Sequence, residues 1–458
     1  MSAAVAMLLA TKLPSAGVLV AGVAGAAVAI VAIVVVMRRY EEAFALLAVT
    51  ALPFRVPIAT DGKTVNLLIP LYLVVAAGTL VQLIAWRQGR AVSSAGDAFA
   101  PRRLSSWATP RGVEVLLAAA VALYVLQALY SADLTRAAEN VAFFYLPFGL
   151  LFVLLGRVSW TQALLLRCLV VLVVLAVLFA GIGFIEYARK SLFLNPKVVA
   201  ANQYDNYFRV NSLFFDPNIY GRFLALVMIA LSTVVMWSSR RREVLYGAAG
   251  LAWLLAGLIT SFSQSSIAAL LLALAVLAAW RWSLRGTLYA SLGLLALAAA
   301  IVLLAPTGLH FGLKGTSGST SNATSGRTKL ISGGLELFAK RPLQGFGSGS
   351  FETEYKRHSK TTTENATSAS HTIPITVAAE QGLLGLLLYG ALVLAALLVL
   401  FTGAGRSPPR IALAACFAAL VLHTWTYADF LEDPFTWALL GVGLALARQG
   451  RAAPASSV

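Results

Sequence analysis

The sequence predicts an all-α, polytopic membrane protein of about 12–13 transmembrane helices with one large exterior loop. Two observations predict it. Of 458 residues, 59% are hydrophobic and 12% charged, against about 45–50% and about 25% in a soluble domain, so the surplus apolar surface must face lipid. The apolar segments are long and continuous rather than alternating, and in lipid only helices or closed barrels satisfy the backbone, so helices are the solution. The formal net charge is +16, from 35 Lys+Arg against 19 Asp+Glu. The basic residues are scattered between apolar segments and form no long run, which argues against a nucleic-acid partner. Cationic loops that anchor on anionic lipid explain the charge, and the lipid bilayer is the first partner implied.

Taken in order, candidate spans fall at 16–37, 42–59, 64–85, 113–130, 140–156, 163–185, 218–237, 244–261, 265–281, 286–305, 372–402, 410–427 and 434–448. The opening MSAAVAMLLATKLP is too short to span and lacks the cationic start of a signal peptide, so no cleavage is expected. Residues 1–305 therefore read as transmembrane helices with an exterior loop at 187–217, and 306–371 as the large exterior loop. Residues 372–448 read as C-terminal transmembrane helices and 449–458 as a cytoplasmic tail. Within the large loop, GLKGTSGSTSNATSG is Gly/Ser/Thr-rich and expected to be flexible. The following RTKLISGGLELFAKRPL reads as an amphipathic helix through Leu330, Leu335, Leu337 and Phe338, closed by Pro342. QGFGSGSF then reads as a turn cluster.

Lys and Arg set the orientation. Arg38, Arg39, Arg87, Arg90, Arg102, Arg103, Arg157 and Arg240 to Arg242 fall on one side, as do Arg281, Arg285, Arg406, Arg410, Arg448 and Arg451. That side is assigned to the cytoplasm. No cytoplasmic domain and no GxxxxGK[ST] motif occur, which argues against an ATP-driven pump. Cys168 and Cys416 both lie in apolar segments and read as small core residues. With four histidines and no CxxC, no metal and no cofactor are expected.

The exterior loops are basic against the positive-inside trend. Loop 306–371 carries Lys314, Arg327, Lys329, Lys340, Arg341, Lys356, Arg357 and Lys360. Long loops escape that trend, so solubility alone is one reading. The other is a polyanion held at the membrane surface, for which guanidinium is suited by its permanent charge and two-pronged geometry. Arg209 precedes a helix start at Asp216-Pro217-Asn218, with Asp216 or Asn218 as cap. Arg222 lies one turn inside that helix and must either snorkel to the interface or face an internal cavity. Arg327 opens the amphipathic segment. His371 ends the long loop at the mouth of the next span, where an imidazole is either a bland interfacial group or a general base. His310, His358 and His423 rank below it, because no other marked residues surround them. The carboxylates Asp429, Glu432 and Asp433 sit in a short exterior turn and read as solvated rather than as a cation site.

These segments resemble the O-antigen ligase and polymerase family. GRTKLISGGLELFAKRPLQGFGSGSF resembles a family region in which an Arg opens a helix and a Pro-Leu-x-Gly-x-Gly turn follows. ASHTIPITVAAEQGLLGLL resembles the next block, a His followed by Glu-x-Gly-x-x-Gly on a helix, and RVNSLFFDPNIYGRFLAL resembles an earlier one. All three stand in the family's order. One departure is Ser263-Gln264-Ser265, where the family often has Ser-Arg-Gly or Ser-Arg-Ala.

The resemblance implies a metal-independent membrane glycosyltransferase of glycosyltransferase-C-like architecture. Its donor would be a polyprenyl (undecaprenyl) diphosphate-linked glycan. Its acceptor would be a hydroxyl on a glycan, lipid or protein, reached on the exterior face of a bacterial cytoplasmic membrane. Arg209 and Arg327 would clamp the diphosphate, with Arg222 or a loop lysine standing in for the absent arginine, and His371 would activate the acceptor hydroxyl. A polymerase of the same family shares these motifs. A lipid-linked glycan flippase is the alternative from another class, and it should show inverted repeats and midplane charges.

Overall fold

The computed structural model describes residues 16–60, 63–89, 107–194, 208–289, 291–293, 320–359, 370 and 372–452. Among these, the helices are α1 (Ala16–Arg39), α2 (Ala43–Ala51), α3 (Ile69–Arg87), α4 (Pro110–Ala128), α5 (Leu134–Gly156) and α6 (Gln162–Arg189). They continue as α7 (Pro217–Trp237), α8 (Arg241–Ser261), α9 (Gln264–Arg281), α10 (Thr320–Lys340) and α11 (Phe351–Ser359). The last three are α12 (Ile373–Phe401), α13 (Pro408–Thr426) and α14 (Pro434–Ala452). Ten of the described helices are long and apolar enough to cross a membrane, and the chain is a multi-pass, all-α membrane protein.

The expected span 42–59 is a correction. Its helix stops at Ala51, and the chain turns into an antiparallel hairpin of β1 (Val56–Thr60) and β2 (Lys63–Leu67), with Val56 opposite Leu67 and Ile58 opposite Val65. Pro53 and Arg55 interrupt the apolar run, and the Asp-Gly pair between the strands is a hairpin signal that hydropathy does not register. Most of the expected span 286–305 lies outside the described residues, as do residues 1–15. The amphipathic helix ends at Lys340, before Pro342, but begins at Thr320, inside the segment expected to be flexible.

The helix termini fall at two ends of the bundle. One gathers Arg38, Arg39, Arg87, Arg281 and Arg448, each in or near the last turn of its helix. Ion pairs close that arginine-rich end, Arg167 with Glu42 and Arg448 with Glu114. The opposite, loop end carries the turns after α4, before α7, between α8 and α9, before α11 and between α13 and α14. Two apolar cores fill the bundle. One joins α2 to α5 with α12 to α14, and the other joins α6 to α9 with α13. The central α7 is buried along most of its length. A third, small core of Leu330, Leu337, Phe346, Phe351 and Ala379 seats α10 and α11 on α12.

Candidate functional site

At the loop end, the chain before α7 is held from two sides. The buried Glu186 carboxylate on α6 accepts from the amides of Phe193 (3.0 Å), Asn211 (3.3 Å) and Ser212 (2.7 Å). The Val210 amide donates to the Thr260 carbonyl at 3.2 Å. This fixes the backbone of Arg209, whose Nε donates to the Ser261 carbonyl (3.1 Å) and whose Nη2 donates to Asn218 Oδ1 (3.1 Å). Asp216 caps α7 by accepting from the Asn218 amide at 2.6 Å, and Pro217 supplies the first helical position. A second cation lies close in space. Lys190 Nζ sits 3.5 Å from the Tyr187 ring centre and 5.4 Å from that of Phe208, the neighbour of Arg209.

From Asn218 a polar chain runs inward. Ser263 Oγ lies 3.0 Å from Asn218 Oδ1 and 2.8 Å from Ser266 Oγ. His423 Nε2 on α13 is 3.1 Å from Ser266 Oγ and 3.2 Å from Ser265 Oγ. His423 is therefore buried in a serine cluster, although nothing adjacent to it in sequence marks it out. Gln264, where the family often has arginine, is exposed.

Arg222 does not snorkel; it is buried inside the bundle. Nη2 sits 2.6 Å from Asp433 Oδ2, with the two side chains 2% and 1% exposed, and Nη1 donates to the carbonyls of Asp429 (3.3 Å) and Ala428 (3.5 Å). The Nη2–Oδ2 contact is coulombic and lacks hydrogen-bond alignment. The acidic turn is accordingly not a solvated cluster. Its Asp433 neutralises Arg222 inside the bundle, and its Asp429 and Glu432 face a cavity.

That cavity, about 90 Å³, opens at the loop end between α4, α5, α12 and the 428–432 turn, and Arg136, Asn140, Glu380, Gln381, Asp429 and Glu432 supply its charged and amide groups. Neither Arg209 nor Arg222 lines it. Asn140 ends the α-helical part of α5, and a π-helical turn, Val141–Tyr145, follows at once. Such turns are rare and often mark functional positions. Burial, reinforced by Asp429 and opposed by Arg136, pushes the Glu432 carboxyl up to about 8.

The Gly-rich turn and the Glu-x-Gly block interlock beside this cavity. α12 is broken at Gly382 (φ 67°, ψ −162°), and the turn lies against the break. The Leu383 amide donates to the Pro342 carbonyl (2.7 Å), and the Gly347 amide to the Glu380 carbonyl (2.8 Å). The Glu380 carboxylate accepts from the amides of Gly349 (2.9 Å) and Phe351 (3.0 Å). Gln127 Nε2 reaches both the Gln344 (3.3 Å) and Gln381 (3.2 Å) carbonyls. A Cβ at Gly382 would stand 2.3 Å from the Leu343 carbonyl oxygen, and one at Gly345 2.3 Å from that of Glu380. Gly382→Val combines that clash with a positive φ, so it is expected to destabilise the protein by about 1–3 kcal/mol or more, read as a lower melting temperature in detergent. An unchanged melting point would mean the break is not required.

Arg327 lies in α10, but its side chain is outside the described residues, and so is His371. The neighbours of His371 are anchored. The Ser370 amide donates to Thr376 Oγ1 at 3.1 Å, and Ile373 and Thr376 line the cavity. Among the described residues no three His, Cys, Asp or Glu side chains converge as a metal site.

Sequence reasoning passed over Arg136, Asn140 and Glu432 as site residues. The Glu380 block was visible as a motif, and Glu432 as part of an acidic trio, but no local signal places them around one space. In comparison with known proteins, residues 249–390 match the family described as O-Antigen ligase. A search of curated proteins finds no match. The matched segment carries the serine cluster, the Gly-rich turn, His371 and Glu380. Over residues 249–390, this multi-pass helical membrane protein is similar to the O-antigen ligase family.

Proposed function

We propose that the chain transfers a glycan from a polyprenyl-diphosphate donor to an acceptor hydroxyl at the loop end of the bundle, which faces the exterior of the cytoplasmic membrane. The family match over 249–390 carries this reading. The orientation is supported by the arginines gathered at the opposite end. The leaving group is a diphosphate and needs no protonation, so the main task is stabilising the charge that develops on it. Arg209, fixed by Asn218 and the Ser261 carbonyl, and Arg327 are assigned to that diphosphate. Arg222 is reassigned from the diphosphate to holding the 428–433 turn. His371 takes the proton of the attacking hydroxyl, and attack opposite the diphosphate inverts the sugar carbon. The donor supplies the energy, so the scheme uses neither ATP nor a metal ion. A polymerase differs only in that the acceptor is a second lipid-linked glycan.

His371→Ala is expected to lower transfer by about 10²–10⁴-fold in purified protein given a defined lipid-diphosphate donor, with membrane level and melting temperature unchanged. Wild-type turnover in that variant removes His371 from the mechanism. Transfer in detergent without any gradient separates this reading from a flippase.

A further inference from the structure

The cavity beside the broken α12 differs in chemistry from the Arg209 region. Among the described residues its one cation, Arg136, stands among Glu432, Asp429 and Glu380, and Glu380 is already engaged by two backbone amides. With one cation set against three carboxyl groups, such a place offers a diphosphate little and suits a neutral molecule rich in hydrogen-bond donors. The Asn140 side chain, 3% exposed, makes the same point. Its Nδ2 donates to Tyr124 Oη (2.8 Å) and to Glu432 Oε1 (3.0 Å), while its Oδ1, buried on the cavity, has no partner among the described residues. An unpaired buried carbonyl is costly and marks where a donor belongs. A water occupies about 10–15 Å³ by this kind of measure, so about 90 Å³ takes something nearer one sugar ring. Further along α12, Leu388 and Leu392 give the wall an apolar stretch, on which the C–H face of a sugar can pack. The turn 427–433 divides the two regions, giving Asp433 to Arg222 on one side and Glu432 to the cavity on the other.

We propose that this cavity is the acceptor subsite and takes a hydroxyl-bearing saccharide. Glu432 and the Asn140 carbonyl accept hydrogen bonds from its hydroxyls, and Arg136 donates one. The assignment rests on the glycosyl-transfer reading above, and it separates the acceptor from the donor diphosphate by charge.

The test is saturation-transfer NMR on the full chain in lipid nanodiscs. The probes are the methyl glycosides of glucose, galactose, mannose and N-acetylglucosamine, with inorganic pyrophosphate as competitor. At least one glycoside is expected to bind saturably, and Glu432→Gln to weaken it about 10-fold or more. Gln keeps the shape and can still pair with Asn140. Ala120→Leu fills the cavity from α4 and should abolish the same signal, so the test does not depend on one variant folding. Pyrophosphate should not displace the glycoside. The proposal is overturned if no glycoside binds at tens of millimolar, if both variants bind as wild type, or if pyrophosphate competes. Wild-type protein that transfers glycan yet fails this test loses the subsite and keeps the transferase reading.

Discussion

Asp433→Ala is expected to cost about 3–5 kcal/mol of stability, because it strands the Arg222 guanidinium in a space that water does not reach. The two side chains are 2% and 1% exposed, so solvent screening cannot compensate as it does for a surface pair. Arg222→Ala should be about as damaging, leaving the carboxylate and the Ala428 and Asp429 carbonyls without their donor. The double variant Arg222→Met/Asp433→Leu removes both charges and should recover much of the loss, since apolar pairs of similar volume often replace buried ion pairs without penalty. Thermal melting of the purified variants in one detergent reads all three. A single variant that melts with wild type would show that the charge is satisfied in some other way.

Arg209→Ala is expected to reduce donor use by about 100-fold or more, on the order of 3 kcal/mol, the usual effect of deleting one fixed donor to a developing anion. Arg209→Lys should rescue poorly. An ammonium supplies a point charge but cannot reach the Ser261 carbonyl and Asn218 Oδ1 as a rigid fork does. Initial rates against donor concentration, at fixed acceptor, decide it. Full activity of Arg209→Ala at subsaturating donor would remove this residue from the diphosphate site, whatever the fate of His371.

The sequence makes the spans legible because a run of about 20 apolar residues has few other uses. The start of α7 at Asp216-Pro217 is equally legible, because capping is a local event within three residues. Pairing across the bundle is not local. Nothing around Asp433 says that it meets Arg222, so an acidic trio in a short turn reads as solvated until the turn is seen threaded beneath a buried arginine. His423 likewise gains its serine partners from α9, a helix far away in the chain. The hairpin 56–67 is hidden for another reason: its strands are apolar enough to be absorbed into neighbouring spans when only hydropathy is weighed. The cavity draws on five separate stretches, and periodicity says which residues share a helix face but not which faces meet.

The clasp between the Gly-rich turn and α12 has an evolutionary corollary. Residues 342–351 and 379–383 are two halves of one buckle, each shaped by carbonyls of the other. Neither half can drift alone, and an insertion that shifts either by one position would unfasten both. A hybrid that borrows the large loop from a relative must borrow the beginning of the following membrane helix with it. Variation in what the protein recognises is then free to accumulate outside the buckle, in the stretches that hang from it.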